Sequence, residues 1–77
     1  MSIPLTQIQA DTLDYIKDYI AINQFPPSRA DIGEAFGIQP NAAQSRVDGL
    51  IRKGAVNSTQ GVARSIFPVD DFKVRIK

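Results

Sequence analysis

The stretch PPSRADIGEAFGIQPNAA, residues 26–43, decides the fold. Ser28, with Asp31 three residues later, has the form of a capping box, and Gly37 is typical of a helix end, so a two-turn helix is predicted between them. After the turn at residues 37–39, Pro40 has the fixed φ of a first helical position. Two helices joined by a tight turn predict a helix-turn-helix unit.

Apolar residues recur at helical spacing on both sides of this turn. In the shorter helix they are Ile32, Ala35 and Phe36. The longer helix is predicted to run to Lys53, with Gly54 as its stop and Gly49 as a point of close packing. One face of it carries Ala43, Val47, Leu50 and Ile51, and the other carries Asn41, Gln44, Ser45, Asp48 and Arg52, with Asp48 and Arg52 expected to pair.

A further helix is predicted before this unit, over residues 7–23. Thr6 and Gln9 form a second capping box, and Phe25 with two prolines ends the helix. Its apolar face is predicted to contain Ile8, Leu13, Ile16 and Ile20, with Thr12 and Tyr19 alongside. The aromatic side chains are predicted to be core; they are Tyr15, Tyr19, Phe25 and Phe36.

After Gly54 the pattern becomes extended and predicts a short β-hairpin. Its strands are residues 55–59 and 62–67, its turn is Gln60-Gly61, and Pro68 ends the second strand. The fold class is therefore mainly α with a small β-hairpin (α+β), a three-helix winged helix-turn-helix. We expect a domain over residues 1–68 and a C-terminal extension over residues 69–77.

Composition excludes most enzyme chemistries. The chain has 77 residues, enough for one small domain, and contains neither cysteine nor histidine. That composition removes thiolate nucleophiles, tetrahedral zinc sites and the commonest general base. We therefore expect no enzyme activity, no catalytic residues, no metal, no cofactor and no small-molecule substrate.

The net charge of +1 is unevenly distributed along the chain. Residues 1–40 carry two basic and five acidic side chains, a net charge of −3, whereas residues 41–77 carry seven basic and three acidic side chains, a net charge of +4. The basic half is expected to attract a polyanion. The longest apolar run, residues 19–22, is too short for a membrane span, and the first residues lack a secretory signal, so a cytoplasmic protein is expected.

The polar face of the third predicted helix is expected to enter the DNA major groove with its N-terminal end. The Asn41 amide is suited to bond adenine bidentately, although asparagine is also a common helix-cap residue. Arg46, Arg52 and Lys53 suit phosphates, although basic residues near a helix C-terminus also stabilise its dipole. Arg64 on the hairpin is expected to reach the DNA backbone or minor groove, the alternative being a surface ion pair.

The chain resembles the N-terminal DNA-binding domain of the LexA repressor family over about residues 4–67. The similar segments are residues 26–32, residues 40–43, Arg52-Lys53-Gly54, Gly61 and Arg64, with Leu5-Thr6 and Gln9 at the start. The resemblance implies a bacterial or phage repressor that reads operator DNA with Asn41, Ala42 and the residues at 44 and 45. The full set of predicted DNA-binding residues is Ser28, Arg29, Gln39, Asn41, Ala42, Gln44, Ser45, Arg46, Arg52, Lys53 and Arg64.

Three departures from the family pattern alter these expectations. The family has two acidic residues where this chain has Gln44 and Ser45, so a different operator is expected, because an amide pairs better with adenine than with cytosine. The turn before Pro40 is one residue shorter, and Gln39 replaces a serine. The self-cleaving peptidase and dimerisation domain of the family is absent from the sequence, so we expect a repressor without self-cleavage.

Two alternatives remain open from the sequence. The alternating tail residues Phe72, Val74 and Ile76 either pair across a two-fold axis to form a homodimer, or join the sheet of the hairpin or the first helix. The function is either that of a sequence-specific double-stranded DNA regulator or that of a small winged-helix interaction or inhibitor module that binds a protein partner, with a phage origin as one option. Binding to a membrane is not expected.

Overall fold

The computed structural model describes residues 5–59, 61–62 and 64–69. Three helices come first along the chain: α1 (Gln7–Asn23), α2 (Arg29–Phe36) and α3 (Pro40–Arg52). Two short antiparallel strands follow, β1 (Val56–Asn57) and β2 (Phe67–Pro68). The predicted fold class, three helices with a small hairpin, is confirmed. In the described part of the chain, no helix is long and apolar enough to cross a membrane.

Both predicted capping boxes are present. The Thr6 hydroxyl accepts from the Gln9 N–H at 3.1 Å, and the Gln9 side chain accepts from the Thr6 N–H at 3.0 Å. Ser28 and Asp31 make the same reciprocal pair at the start of α2. These contacts satisfy amide donors that have no partner within the first helical turn. Gln24, with a left-handed φ of 70°, caps the end of α1 before the prolines.

Two glycines, Gly33 and Gly37, allow the tight turn between α2 and α3. Gly37 caps α2 with a φ of 67°, and the Ile38 N–H donates to the Gly33 carbonyl at 2.8 Å. A Cβ on Gly33 would lie 2.6 Å from the Ile38 carbonyl oxygen, so the chain passes too close for any side chain. This approach sets α3 against α2, with Gln39 as N-cap and Pro40 as the first residue of α3.

The core lies between the three helices and the hairpin. Its residues are at most 4% exposed, and they are Leu13, Ile16, Ile32, Ala43, Val47, Leu50, Ala55, Val56 and Ile66. Thr12 is buried with them, and its hydroxyl donates to the Ile8 carbonyl at 2.8 Å. Every helix and the first strand therefore contributes to one core, which holds α3 by its apolar face.

Three core positions predicted within the helices are wrong. Ile8 is 56% exposed and Ile51 is 40% exposed. Ile8 precedes the buried Ile16 by eight residues, which at about 100° per residue places it roughly 80° off the buried line of α1. Ile51 is offset from Ala43 by the same spacing. Ala35 is also exposed, because it flanks the line through Ile32.

Gly49 has the close contact that the sequence predicted. It is buried, and a Cβ there would lie 3.0 Å from the Gln9 side-chain nitrogen. Helix α3 therefore packs directly over the capping box of α1.

The predicted strand register of the hairpin is wrong. A two-residue loop at Gln60-Gly61 would pair residue 57 with residue 64, but Asn57 pairs with Phe67 and Val56 with Pro68. Residues 58–66 therefore connect the strands, and Pro68 belongs to β2. The Ser65 hydroxyl accounts for the wider loop, because it bonds the Thr59 N–H at 3.0 Å and the Val62 carbonyl at 2.8 Å.

The predicted C-terminal extension lies largely outside the described residues. Within them, the Val69 N–H donates to the Ala55 carbonyl at 2.9 Å, and Val69 packs against the core. The sheet contacts therefore continue one residue past Pro68. Phe72, Val74 and Ile76, for which dimer pairing was predicted, lie outside the described residues.

Candidate nucleic-acid interface

The front of α3 faces solvent. Asn41, Ala42, Ser45 and Arg52 are exposed, and Gln44 and Asp48 are half-buried. The opposite face of the same helix is fully buried in the core. Because α3 is held by its buried face, the polar side chains on its front lie open to an external partner.

Two bonds organise the first turns of this face. Asn41 Oδ1 accepts from the Ala42 N–H at 3.0 Å, and the Ser45 hydroxyl donates to the Asn41 carbonyl at 3.3 Å. Both contacts are local and leave the side chains at the helix surface. The Asn41 side-chain amino group has no other partner among the described residues.

Asp48 does not form the predicted pair with Arg52. The Gln44 side-chain nitrogen donates to the Asp48 carboxylate at 2.7 Å, and among the described residues no ion pair joins Asp48 to Arg52. Residues 44 and 48 are neighbours on the helix surface, and the amide lies closer to the carboxylate than the flexible Arg52 side chain does. Arg52 is left exposed on the front of α3.

A groove of about 630 Å³ separates α3 from the loop of the hairpin. Its lining residues are Arg29, Gln44, Asp48, Ile51, Ser58, Gly61 and Val62. Arg29 Nη2 lies 3.4 Å from the Ser58 hydroxyl, so the start of α2 and the loop are connected across one end of the groove. The sequence indicated no role for Ser58 or Val62, because their place in the groove depends on the strand register.

Arg64 forms the surface ion pair that was the alternative to DNA contact. Its Nη1 lies 2.9 Å from Asp31 Oδ2 and 3.2 Å from both the Tyr19 hydroxyl and the Pro26 carbonyl oxygen. The guanidinium also lies 4.9 Å from the centre of the Phe25 ring. Arg64 thus connects the hairpin loop with α1 and α2, and its φ of 56° turns the chain toward them.

The environment of Asp31 favours the charged carboxylate. Hydrogen bonds from Ser28, first from its backbone N–H and then from its hydroxyl, lower the pKa of Asp31 below its ordinary value. Burial, second in size to the backbone hydrogen bond, raises this pKa, whereas Tyr19 and Arg64 lower it further, and the net pKa stays below the ordinary value. The Asp31 carboxylate therefore has two roles: it caps α2, and it binds Arg64, which anchors the hairpin loop to the helices.

Arg46 lies over an aromatic ring on the side of α3 nearest α1. Its guanidinium is 4.9 Å from the centre of the Phe36 ring, and its Nη1 is 3.5 Å from the Thr12 hydroxyl. Phe36 contacts Tyr15 edge to face at 5.5 Å. Arg46 is therefore engaged between the helices rather than on the front of α3.

The predicted core position of Phe25 is wrong. Phe25 is 44% exposed, whereas Tyr15, Tyr19 and Phe36 are half-buried. Its ring contacts Tyr19 edge to face at 5.8 Å and is covered on one side by Arg64. The residue follows the end of α1, where no helix packs over it.

The remaining predicted site residues lie at the ends of helices α2 and α3. Gln39 is exposed just before the helix, and Lys53 is half-buried just after it. Ser28 lies at the start of α2, where its hydroxyl is engaged in the capping box. In the described residues, no cluster of His, Cys, Asp or Glu suited to a metal ion is present.

A short helix, a tight turn, a second helix with an open polar front and a following hairpin define the winged helix-turn-helix class. Comparison with known proteins narrows the class to a family. Residues 2–65 match the family described as the LexA DNA binding domain, and this chain belongs to that family. The resemblance inferred from the sequence motifs is thereby confirmed.

Named bacterial relatives are similar over the same region. The chain is 43% identical over 67 residues to the LexA repressor of Bordetella avium (strain 197N), covering 86% of this chain and 32% of that protein. It is 45% identical over 65 residues to LexA repressor 1 of Pseudomonas syringae pv. tomato (strain ATCC BAA-871 / DC3000), a match that covers 83% of this chain and 32% of that protein. The chain therefore spans about a third of the length of these relatives.

Proposed function

We propose that this chain is a sequence-specific double-stranded DNA-binding domain that acts in transcriptional repression, with α3 in the major groove. The observation that carries the proposal is the open polar front of α3, held in place from behind by a fully buried face. Its relatives are named as repressors, which supports the same role here. A chromosome-binding repressor works in the bacterial cytoplasm.

Base reading is assigned to the first two turns of α3. Asn41 and Gln44 carry amides, which pair bidentately with adenine N6 and N7, and Ser45 supplies a hydroxyl. Ala42 is exposed and small, so it allows close approach and suits a thymine methyl group. Asn41 and Ser45 lie at the centre of the front of α3, with Gln44 on one flank and Ala42 on the other.

Phosphate contacts are assigned to the edges of this front. Arg52 is exposed at the end of α3, followed by Lys53, and Arg29 lies across the groove at the start of α2. Gln39, exposed just before α3, and Ser28, just before Arg29, are assigned to the same role. Arg46 and Arg64 are assigned a structural role instead, because both guanidinium groups are already engaged by aromatic rings and oxygen atoms of the protein.

Selection from a randomised duplex pool, followed by binding at several salt concentrations, tests the proposal. A regulator enriches a motif, and its affinity falls steeply with salt because bound phosphates release counterions. Asn41→Ala is expected to relax preference at one base position and to cost about 1–3 kcal/mol. Arg52→Ala is expected to weaken all sequences alike and to reduce the salt slope by about 1.

Lys17→Ala on α1 is the matched control for Arg52→Ala, since it removes one positive charge away from α3. Its binding is expected to resemble that of the unaltered chain. Failure to enrich any motif would contradict the proposed function. Equal effects of Lys17→Ala and Arg52→Ala would contradict the assignment of Arg52 to a phosphate.

We also propose that two copies bind spaced half-sites, since a single module with a few base contacts binds weakly. The alternating residues Phe72, Val74 and Ile76 are the candidate means of pairing. Light scattering on the full chain and on a chain ending at Val69 tests pairing through the tail. The shorter chain keeps the hydrogen bond from the Val69 N–H to the Ala55 carbonyl. Loss of a dimer on truncation supports pairing through the tail, and an unchanged mass contradicts it.

A further inference from the structure

Asp48 is an acidic side chain on the surface assigned to DNA, where a carboxylate repels phosphates. It is half-buried, lines the groove beside α3, and, within the described part of the chain, forms no ion pair with Arg52. Its contact in the structure is the 2.7 Å hydrogen bond from Gln44 Nε2. The role of Asp48 on this face is therefore to be sought in its hydrogen bond with Gln44.

The direction of this hydrogen bond determines the orientation of the Gln44 side-chain amide. A carboxylate offers only acceptors, so the amino end of the amide must face Asp48. One N–H is then engaged, and the second N–H and the carbonyl Oε1 are left for an external partner. Without a neighbouring acceptor, the terminal torsion of glutamine is broad and presents either end of the amide.

We propose that Asp48 is a positioning residue that orients Gln44 and so determines a preference for adenine at one operator position. This inference rests on the proposed function. The major-groove edge of adenine offers an N7 acceptor and an N6 donor, which match the second N–H and Oε1 of Gln44. Guanine offers two acceptors at the same edge and would bring its O6 against Oε1.

Selection from the randomised duplex pool tests the inference with Asp48→Ala, Gln44→Ala and the double variant. The unaltered chain is expected to prefer adenine at the Gln44 position by about 5- to 150-fold, the usual range for a good bidentate pair. Asp48→Ala is expected to reduce that preference to roughly threefold or less while leaving the Asn41 position unchanged. In the Gln44→Ala background, Asp48→Ala is expected to change the motif no further.

Asp14→Ala is the matched control, because it removes an exposed carboxylate from α1 and changes the net charge equally. It is expected to leave the motif intact. Thermal unfolding of each variant separates a loss of folding from a change in base preference.

Three outcomes would overturn the inference. In the first, Asp48→Ala keeps the adenine preference and binds every duplex more tightly, which would mean that Asp48 only repels DNA. In the second, a cytosine preference at another position disappears with Asp48 but persists in Gln44→Ala, which would mean that Asp48 reads a base itself. In the third, the unaltered chain selects a motif without adenine at the Gln44 position. A chain that selects no motif at all fails the proposed function first.

Discussion

Gly33 determines how closely α2 approaches the turn that leads into α3. A Cβ there would meet the Ile38 carbonyl oxygen at 2.6 Å, and backbone on both sides leaves no flexible group to move away. Gly33→Ala is therefore expected to lower the free energy of unfolding by about 1–3 kcal/mol, the usual cost of overpacking. Chemical denaturation measures this loss.

Gly49→Ala is the matched control for this prediction. Its Cβ would meet the far end of the Gln9 side chain at 3.0 Å, which moves more readily than backbone. Alanine also favours a helix interior by about 0.5–1 kcal/mol over glycine, which offsets the contact. Equal destabilisation by the two substitutions would contradict a specific role for Gly33 in the turn.

Asp31 gives the stability of the domain a dependence on acid pH. Its pKa is lowered in the folded chain, chiefly by the backbone hydrogen bond from Ser28, relative to about 3.9 in an unfolded one. The resulting stabilisation is fully present above the unfolded pKa and is lost as the pH falls through the lower folded pKa. The Asp31 carboxyl carbon, followed by NMR, is expected to titrate below its ordinary value, whereas titration at or above that value would contradict the assignment.

The helices were predictable because their signals are local. Thr6 with Gln9 and Ser28 with Asp31 define helix starts within four residues, and Gly37 defines an end. The open front of α3 followed from the same periodicity. The residues at the border of each apolar face were less predictable. Ile51 is an example, because its exposure depends on which other element packs against that border of α3.

The hairpin was predictable in its existence but not in its register. Two short strands leave little pattern to fix pairing, so the loop contacts of Ser65 decide it. The anchor of that loop joins Arg64 with Asp31, residues far apart in sequence, and no local spacing signals such a contact. The Gln44–Asp48 bond has a local spacing of four residues, but Asp48 and Arg52 have the same spacing, so the sequence does not decide between the two pairs.

The hairpin is expected to loosen when its anchor to the helices is removed. Arg64→Ala deletes the contacts to Asp31, Tyr19 and Phe25 and leaves an alanine at a positive φ. Hydrogen exchange of the Val69 amide, which bonds the Ala55 carbonyl, is expected to accelerate while the Ile16 amide in α1 keeps its protection. Arg52→Ala is the matched control and is expected to leave Val69 exchange unchanged; equal exchange in both variants would contradict the anchor.

At the scale of the whole molecule, exposed carboxylates and exposed guanidinium groups lie on different elements of the described chain. Asp11, Asp14 and Asp18 are exposed on α1, which packs its other side against α3 and the core. Arg52 is exposed on the front of α3, and Arg29 lies across the groove from it. A polyanion is therefore expected to approach the front of α3 and to be repelled by α1.

Mapping of amide chemical shifts upon addition of the selected duplex tests the central claim most directly, because it reports which surface meets DNA. The largest changes are predicted at residues 41–45 and around Arg29 and Arg52, with residues 11–18 of α1 little affected. Changes concentrated on α1, with the amides of residues 41–45 unmoved, would contradict the placement of α3 in the major groove.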